Sequence, residues 1–97
     1  MPEMWFDISW PDGREERCYS PSLIVRERLT EDTAYALPAF MARAEEALRE
    51  ASARVQAKYG FPCSRALGQI ERLQASAKSF DHQPGALVRV RQFLDKG

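Results

Sequence analysis

The sequence is poor in the residues from which most catalytic and metal centres are built: two cysteines, Cys18 and Cys63, and one histidine, His82, in 97 residues. Two cysteines are too few for a disulfide framework, and in a reducing compartment they stand as thiols. With a single histidine beside them they do not readily make a zinc site, so no metal and no cofactor is expected. Net charge is missing too. Fourteen basic residues balance fourteen acidic ones, leaving no global field to draw in nucleic acid or an anionic membrane. A nucleic-acid regulator would rest on Arg89, Arg91 and Lys96 alone, without a recognition helix, and is not expected. There is no run of about 18 apolar residues to span a bilayer. The opening Met1-Pro2-Glu3-Met4-Trp5-Phe6-Asp7 has no basic stretch leading into an apolar one, so the expected location is the cytoplasm, with no membrane partner.

What is present suits one folded domain over residues 1–97. Hydrophobic residues make up 44% and charged residues 29%, far from the composition of disorder, and a chain this short must spend its apolar residues on a single core. Met4 to Ser20 reads as a β-hairpin, because Met4, Phe6, Ile8 and Trp10 alternate with Trp5, Asp7 and Ser9 before the turn residues Pro11-Asp12-Gly13. Those three in that order suit a type I turn closed by a glycine bulge. Such a turn sets Trp10 opposite Arg14, Ile8 opposite Glu16, Asp7 opposite Arg17, Phe6 opposite Cys18 and Trp5 opposite Tyr19. An opposite-charge pair and an aromatic pair both favour that register. Cys18 then shares a core face with Phe6 and Ile8.

Ser20-Pro21-Ser22 ends the hairpin and offers caps; these serines and Ser64 lack a histidine or aspartate at an informative spacing and read as turn residues rather than nucleophiles. Leu23 to Leu29 fits either a short helix or an extended cover, and Thr30 to Tyr35 reads as a loop. The clearest helix runs from about Pro38 to Tyr59, with Leu37, Met41, Ala44, Leu48, Ala51 and Val55 spaced as one apolar stripe. Glu45–Arg49 and Glu50–Arg54 make solvated pairs on its other side. A second helix spans about Pro62 to Ser79, burying Ala66, Leu67, Ile70, Leu73 and Ala77. After a loop over Asp81-His82-Gln83-Pro84-Gly85, Leu87 to Phe93 alternates as a strand, with a terminal helix turn as the alternative. The expected fold is therefore α+β: an N-terminal hairpin plus a C-terminal strand forming a three-stranded sheet packed on two main helices. On its open face Trp5, Tyr19, Leu87 and Phe93 would form an aromatic and apolar patch suited to a partner.

Between the helices lies Lys58-Tyr59-Gly60-Phe61-Pro62-Cys63-Ser64-Arg65. Gly60 supplies a left-handed stop and Pro62 suits a first helical turn. Cys63 then falls at a helix N-terminus, where unpaired N–H groups and the helix dipole favour a thiolate. That makes Cys63 a candidate nucleophile and Cys18 a candidate second thiol, though each also suits a structural role. Trp5 and Tyr19 are a packing pair or a stacking platform, and Arg65 is a solvated arginine by default or an anion holder at the helix start. His82, in a distant loop, offers Cys63 no obvious base.

The segments Met1-Pro2-Glu3-Met4-Trp5-Phe6, Trp10-Pro11-Asp12-Gly13, Cys18-Tyr19-Ser20-Pro21-Ser22 and Lys58-Tyr59-Gly60-Phe61-Pro62-Cys63-Ser64 together resemble the small bacterial nitrogen-starvation-response proteins encoded in a gene cluster with a nitrilase. The resemblance spans nearly the whole chain. It implies a setting: the cluster also encodes a radical-SAM protein, an acetyltransferase-like protein, an aminoimidazole-ribotide-synthase-like protein and a flavin-dependent oxidoreductase, and is linked to nitrile or cyanide nitrogen assimilation. It carries over no catalytic residues. Two functions follow as expectations. The first is an accessory or adaptor protein that binds a protein partner from that cluster, or a second copy of itself as a homo-oligomer. The second is a thiol-dependent enzyme or carrier of a nitrogen compound using Cys63. The first is preferred, because no acid–base constellation accompanies the thiol.

Overall fold

A computed structural model describes residues 2–95; Lys96, one of the three basic residues weighed for nucleic acid, lies outside them. In chain order the elements are β1 (Met4–Ser9), β2 (Glu15–Ser20), α1 (Val25–Arg28), β3 (Thr33–Ala36), α2 (Leu37–Tyr59), α3 (Ser64–Lys78) and β4 (Leu87–Asp95). The hairpin has the expected register, from Met4 opposite Ser20 to Ser9 opposite Glu15. Its turn closes through two 2.8 Å bonds, Gly13 N–H to the Trp10 carbonyl and Trp10 N–H to the Arg14 carbonyl. Gly13 takes φ 89°, the left-handed bulge position that glycine fills without steric cost.

Among the described residues the sheet has four antiparallel strands in the order β2-β1-β4-β3, not three, and the helices number three. The added strand is β3, which reads as a loop in the sequence. Thr33-Ala34-Tyr35-Ala36 is too short to announce itself, and two of its four residues are alanine, which is depleted in strands. It is extended because it pairs with β4, Tyr35 opposite Val88, a partner that no local pattern specifies. Asp32, at φ 54°, turns the chain into it; aspartate is among the few side chains that tolerate that region.

A second departure lies in β4. Ile8 pairs with Val90 but Asp7 with Gln92, so β4 carries one extra residue at a β-bulge. A bulge reverses the alternation beyond it. Val88 and Val90 are buried, and Phe93 also packs against the core, with Arg26 5.6 Å over its ring. Phe93 is thus absent from the open face where simple alternation put it.

The helices cover the opposite face. The α2 stripe is wider than the sequence spacing suggested: Leu37, Phe40, Ala44, Ala47, Leu48, Ala51 and Ser52 are buried, with Met41 and Val55 half-buried at its margins. On α3, Ala66, Gln69, Ile70, Leu73 and Ala77 are buried, whereas Leu67 is 40% exposed. One residue is about 100° of helix rotation, which carries Leu67 off the 66/70/73/77 stripe. Met4, Phe6, Ile8 and Cys18 of the hairpin and Phe40, Leu48 and Leu73 of the helices, each fully buried, belong to one core cluster. Burial of each large apolar side chain contributes about 1.5–3 kcal/mol. Trp10 closes one end, stacked on Phe80 at 5.9 Å and edge-on to Phe40 at 6.2 Å, while its indole N–H donates to Glu16 at 2.9 Å. Leu23 to Leu29 resolves as a turn and the single helical turn α1, with Ser20 and Ser22 hydroxyls bonded within the turn that leads into it.

Candidate functional site at the helix corner

The corner between α2 and α3 forms as its residues dictate. Gly60 ends α2 at φ 90°, its N–H reaching the Gln56 carbonyl. Helix α3 begins at Ser64, two residues beyond Pro62, so Cys63 is its N-cap rather than a member of its first turn. The Cys63 side chain makes no capping bond, but its backbone N–H donates to Ser52 Oγ at 3.1 Å, which ties the corner to α2. Cys63 is half-buried and free; Cys18 is fully buried and free. Burial, reinforced by the negative charges of Glu16 and Asp7, pushes the Cys18 thiol well above its ordinary range, with Arg72 opposing. Helix α3, 15 residues and so about 22 Å long, separates Cys63 from the loop that carries exposed His82. Among the described residues, no group of three or more histidines, cysteines and acids gathers to hold a metal ion.

From this corner Arg65 reaches over the edge of the sheet. Its guanidinium lies 3.8 Å above the Tyr19 ring and 5.9 Å from that of Trp5, and the two rings meet edge-on at 5.1 Å. Trp5, Tyr19 and Arg65, each a candidate binding residue in the sequence, therefore come together, while Cys18 stays in the core and Cys63 caps the helix beside them. The Tyr19 hydroxyl donates to Glu3 at 2.7 Å. Burial, then that bond and the Glu3 charge, raise the phenol to about 12, against the opposing pull of Arg65.

Tyr19 is only 6% exposed, so the open face is not the bare aromatic patch that alternation suggests. It is largely polar. Arg17 grips Asp7 with two bonds of 2.8 and 3.0 Å, and Gln92 adds a third at 2.9 Å. These contacts, the arginine's first, hold the Asp7 carboxyl below its ordinary range against the effect of burial.

Gln69 was invisible as a site residue in the sequence. It is 2% exposed, and its Oε1 accepts the outward N–H of Tyr19 at 3.0 Å and Arg72 at 3.3 Å. The edge of β2 is thereby covered by a helix side chain, a common protection for an exposed strand. Trp5, Tyr19, Arg65, Gly68, Gln69 and Arg72 help line a hollow of about 330 Å³. The signal that could have found it is the spacing of residues 65, 68, 69 and 72, a second stripe running beside the apolar one. A larger hollow of about 500 Å³ lies at the other end of α3, among Leu37, Met41, Ala77, Phe80 and Pro84, and contains none of the candidate residues.

Three of the four large exposed apolar side chains among the described residues lie at the same corner; the fourth, Leu87, begins β4 and stays exposed. Tyr59 is 52% and Phe61 65% exposed, and Leu67 follows on α3. The fold and this corner define a small α+β domain in which a helical hairpin backs an antiparallel sheet and carries its side chains over one sheet edge. Residues 5–93 match the family model of the nitrogen starvation-induced protein NitG, and the chain belongs to that family. No curated protein and no solved structure matches it. No helix among the described residues is long and apolar enough to cross a membrane.

Proposed function

We propose that this NitG-family protein is a non-catalytic accessory protein of a nitrile or cyanide nitrogen-assimilation system, the setting implied by the resemblance to proteins encoded beside a nitrilase, and that it works in the cytoplasm by docking on a protein encoded with it. The observation that carries the reading is that exposed Tyr59, Phe61 and Leu67 all fall within one helical turn of the α2–α3 corner. Contiguous exposed apolar side chains on a small domain mark interaction sites, and aromatic residues dominate the energetics of such contacts. The corner is preformed by the Gly60 stop and the Cys63–Ser52 bond, so little ordering opposes binding. Self-association through the same surface is the other form of this reading.

The test uses the tagged full-length chain as bait in nitrogen-starved cells, with size-exclusion chromatography of the purified protein alongside. Wild type recovers a protein of the same gene cluster, or elutes as a homo-oligomer, and Phe61→Ser abolishes that interaction while leaving the circular dichroism spectrum unchanged. A monomer that recovers none of the cluster's proteins overturns the reading. A second reading, a thiol-dependent enzyme or carrier of a nitrogen compound, is favoured by the free, half-buried Cys63 at an uncapped helix start. It requires that Cys63 of the folded protein be alkylated at neutral pH faster than the same thiol in an unfolded peptide; reaction only on unfolding removes it.

A further inference from the structure

The hollow under Arg65 holds donors that lack an acceptor. Gln69, all but fully buried at its floor, has both its acceptor contacts on Oε1, and its Nε2 has no hydrogen-bond partner. The orientation is fixed, because the Tyr19 N–H needs the oxygen on its side. A buried donor left unmatched is costly enough that native structures seldom keep one without a ligand or water to satisfy it.

The charges around it lean the same way. Arg17 is matched by Asp7. Among the described residues Arg65 has only the Glu3 carboxylate, at 3.9 Å, and the Glu3 oxygen involved is already taken by the Tyr19 hydroxyl. Arg72 has no carboxylate partner among the described residues; its guanidinium donates to the neutral Gln69 oxygen at 3.3 Å. No acidic residue among the described ones lines the hollow, and the first turn of α3, which supplies Arg65, has neither an acidic residue nor a side-chain cap. Gly68 keeps the space open: a Cβ there would meet Arg72 Nη1 at 3.6 Å, an ordinary contact, so the fold itself does not demand glycine.

We propose that this hollow binds a small oxyanion, the carboxylate or phosphate group of a metabolite, with Arg72, Arg65 and Gln69 Nε2 as its donors and the Trp5 ring against the rest of the molecule. Guanidinium groups and an amide N–H are matched by oxyanions and by no cation. The volume suits a small metabolite. The site adjoins the docking corner, but Tyr59, Phe61 and Leu67 do not line it, so it does not rest on the docking reading.

Trp5 provides the readout, since the other tryptophan, Trp10, is buried in the core. The full chain is titrated with sodium phosphate and, separately, with sodium propionate, at ionic strength held constant with sodium chloride, while tryptophan fluorescence is followed. A saturable change is expected with at least one probe: phosphate alone assigns the site to phosphorylated ligands, propionate alone to carboxylic acids. Arg72→Gln, at an exposed position, weakens binding about tenfold or more, the loss expected for one charge-assisted hydrogen bond. Gln69→Glu keeps an acceptor for Tyr19 N–H but places a carboxylate against the anion, and abolishes binding; if that variant fails to fold, Arg72→Gln decides. Phe61→Ser leaves the titration unchanged whether or not the docking reading survives. A response to both probes no different from that to chloride, or a saturable response that Arg72→Gln leaves intact, overturns the proposal.

Discussion

The two edges of the sheet are finished in different ways. At one, β2 is held in register by its own hairpin turn and its outward Tyr19 N–H is taken by Gln69 of α3. At the other, β3 is four residues long, pairs with β4, and hands the chain straight to α2, whose first residue donates its N–H to the Ala86 carbonyl. One edge is covered by a helix side chain, the other merely kept short, and both devices discourage pairing with a further strand. The difference is that the covered edge creates a place where rings, guanidinium groups and an amide converge, while the short edge creates none. In this fold the candidate site is a by-product of how a strand edge is protected.

The sharpest way to break that comparison is to uncover β2. Gln69→Leu fills the same space but takes the Oε1 acceptor from both the Tyr19 N–H and Arg72, and these losses, about 1–3 kcal/mol for the buried one, outweigh the removal of the unmatched Nε2. A lower urea midpoint with an unchanged slope is the expected result; an unaltered midpoint would mean that Gln69 does not protect the edge. The matching change at β3 is Tyr35→Phe. The Tyr35 hydroxyl accepts the Thr30 N–H at 2.9 Å in an exposed bond, and Arg43 lies over the ring at 5.5 Å. Water replaces that hydroxyl, and the ring contact survives, so the cost is about 0.5–1 kcal/mol in the same urea measurement. A larger loss at β3 than at β2 would reverse the ranking of the two edges.

The edges also differ in how far the sequence foretells them. Every pair of the hairpin follows from Pro11-Asp12-Gly13, since a turn of known geometry fixes register for both strands at once. The core place of Cys18 and the stop at Gly60 follow from equally local rules. What is not legible depends on partners far along the chain. Nothing within Thr33–Ala36 says that it will meet Leu87–Val90, and nothing near Phe93 shows the bulge that turns it towards the core. Trp5, Tyr19 and Arg65 could each be singled out by type, but their convergence required knowing that α3 runs beside β2. Gln69 was lost for a related reason: a buried glutamine looks like a surface one until the strand it serves is in place. The shift from an aromatic open face to an exposed apolar helix corner has the same origin, because bulge and arginine roof are both products of tertiary packing.

The smallest effect separates charge from packing on the β2 side. Arg17, first through its hydrogen bonds, lowers the Asp7 carboxyl below its ordinary value. A carboxylate with a depressed folded pKa binds its proton less readily than in the unfolded chain. Its contribution is therefore present above the unfolded value of about 4 and is lost as pH falls through the folded one. Stability should decline below about pH 4 in wild type, and Asp7→Asn should lower stability modestly at neutral pH, flatten that part of the decline and converge with wild type in acid. The change is smaller than either edge substitution, because the Arg17 side chain is 56% exposed and water screens the pair. Tyr19 provides the opposite sign in the same strand. Its phenol, raised to about 12, keeps its proton where the unfolded chain gives it up, so its contribution is complete below about pH 10 and disappears as pH rises towards the folded value. Urea midpoints measured from acid to alkaline pH in wild type, Asp7→Asn and Tyr19→Phe check both limbs. If the acid limb is the same in wild type and Asp7→Asn, the Asp7–Arg17 pair adds nothing to the hairpin, and the covered edge is held by packing and the Gln69 bond alone.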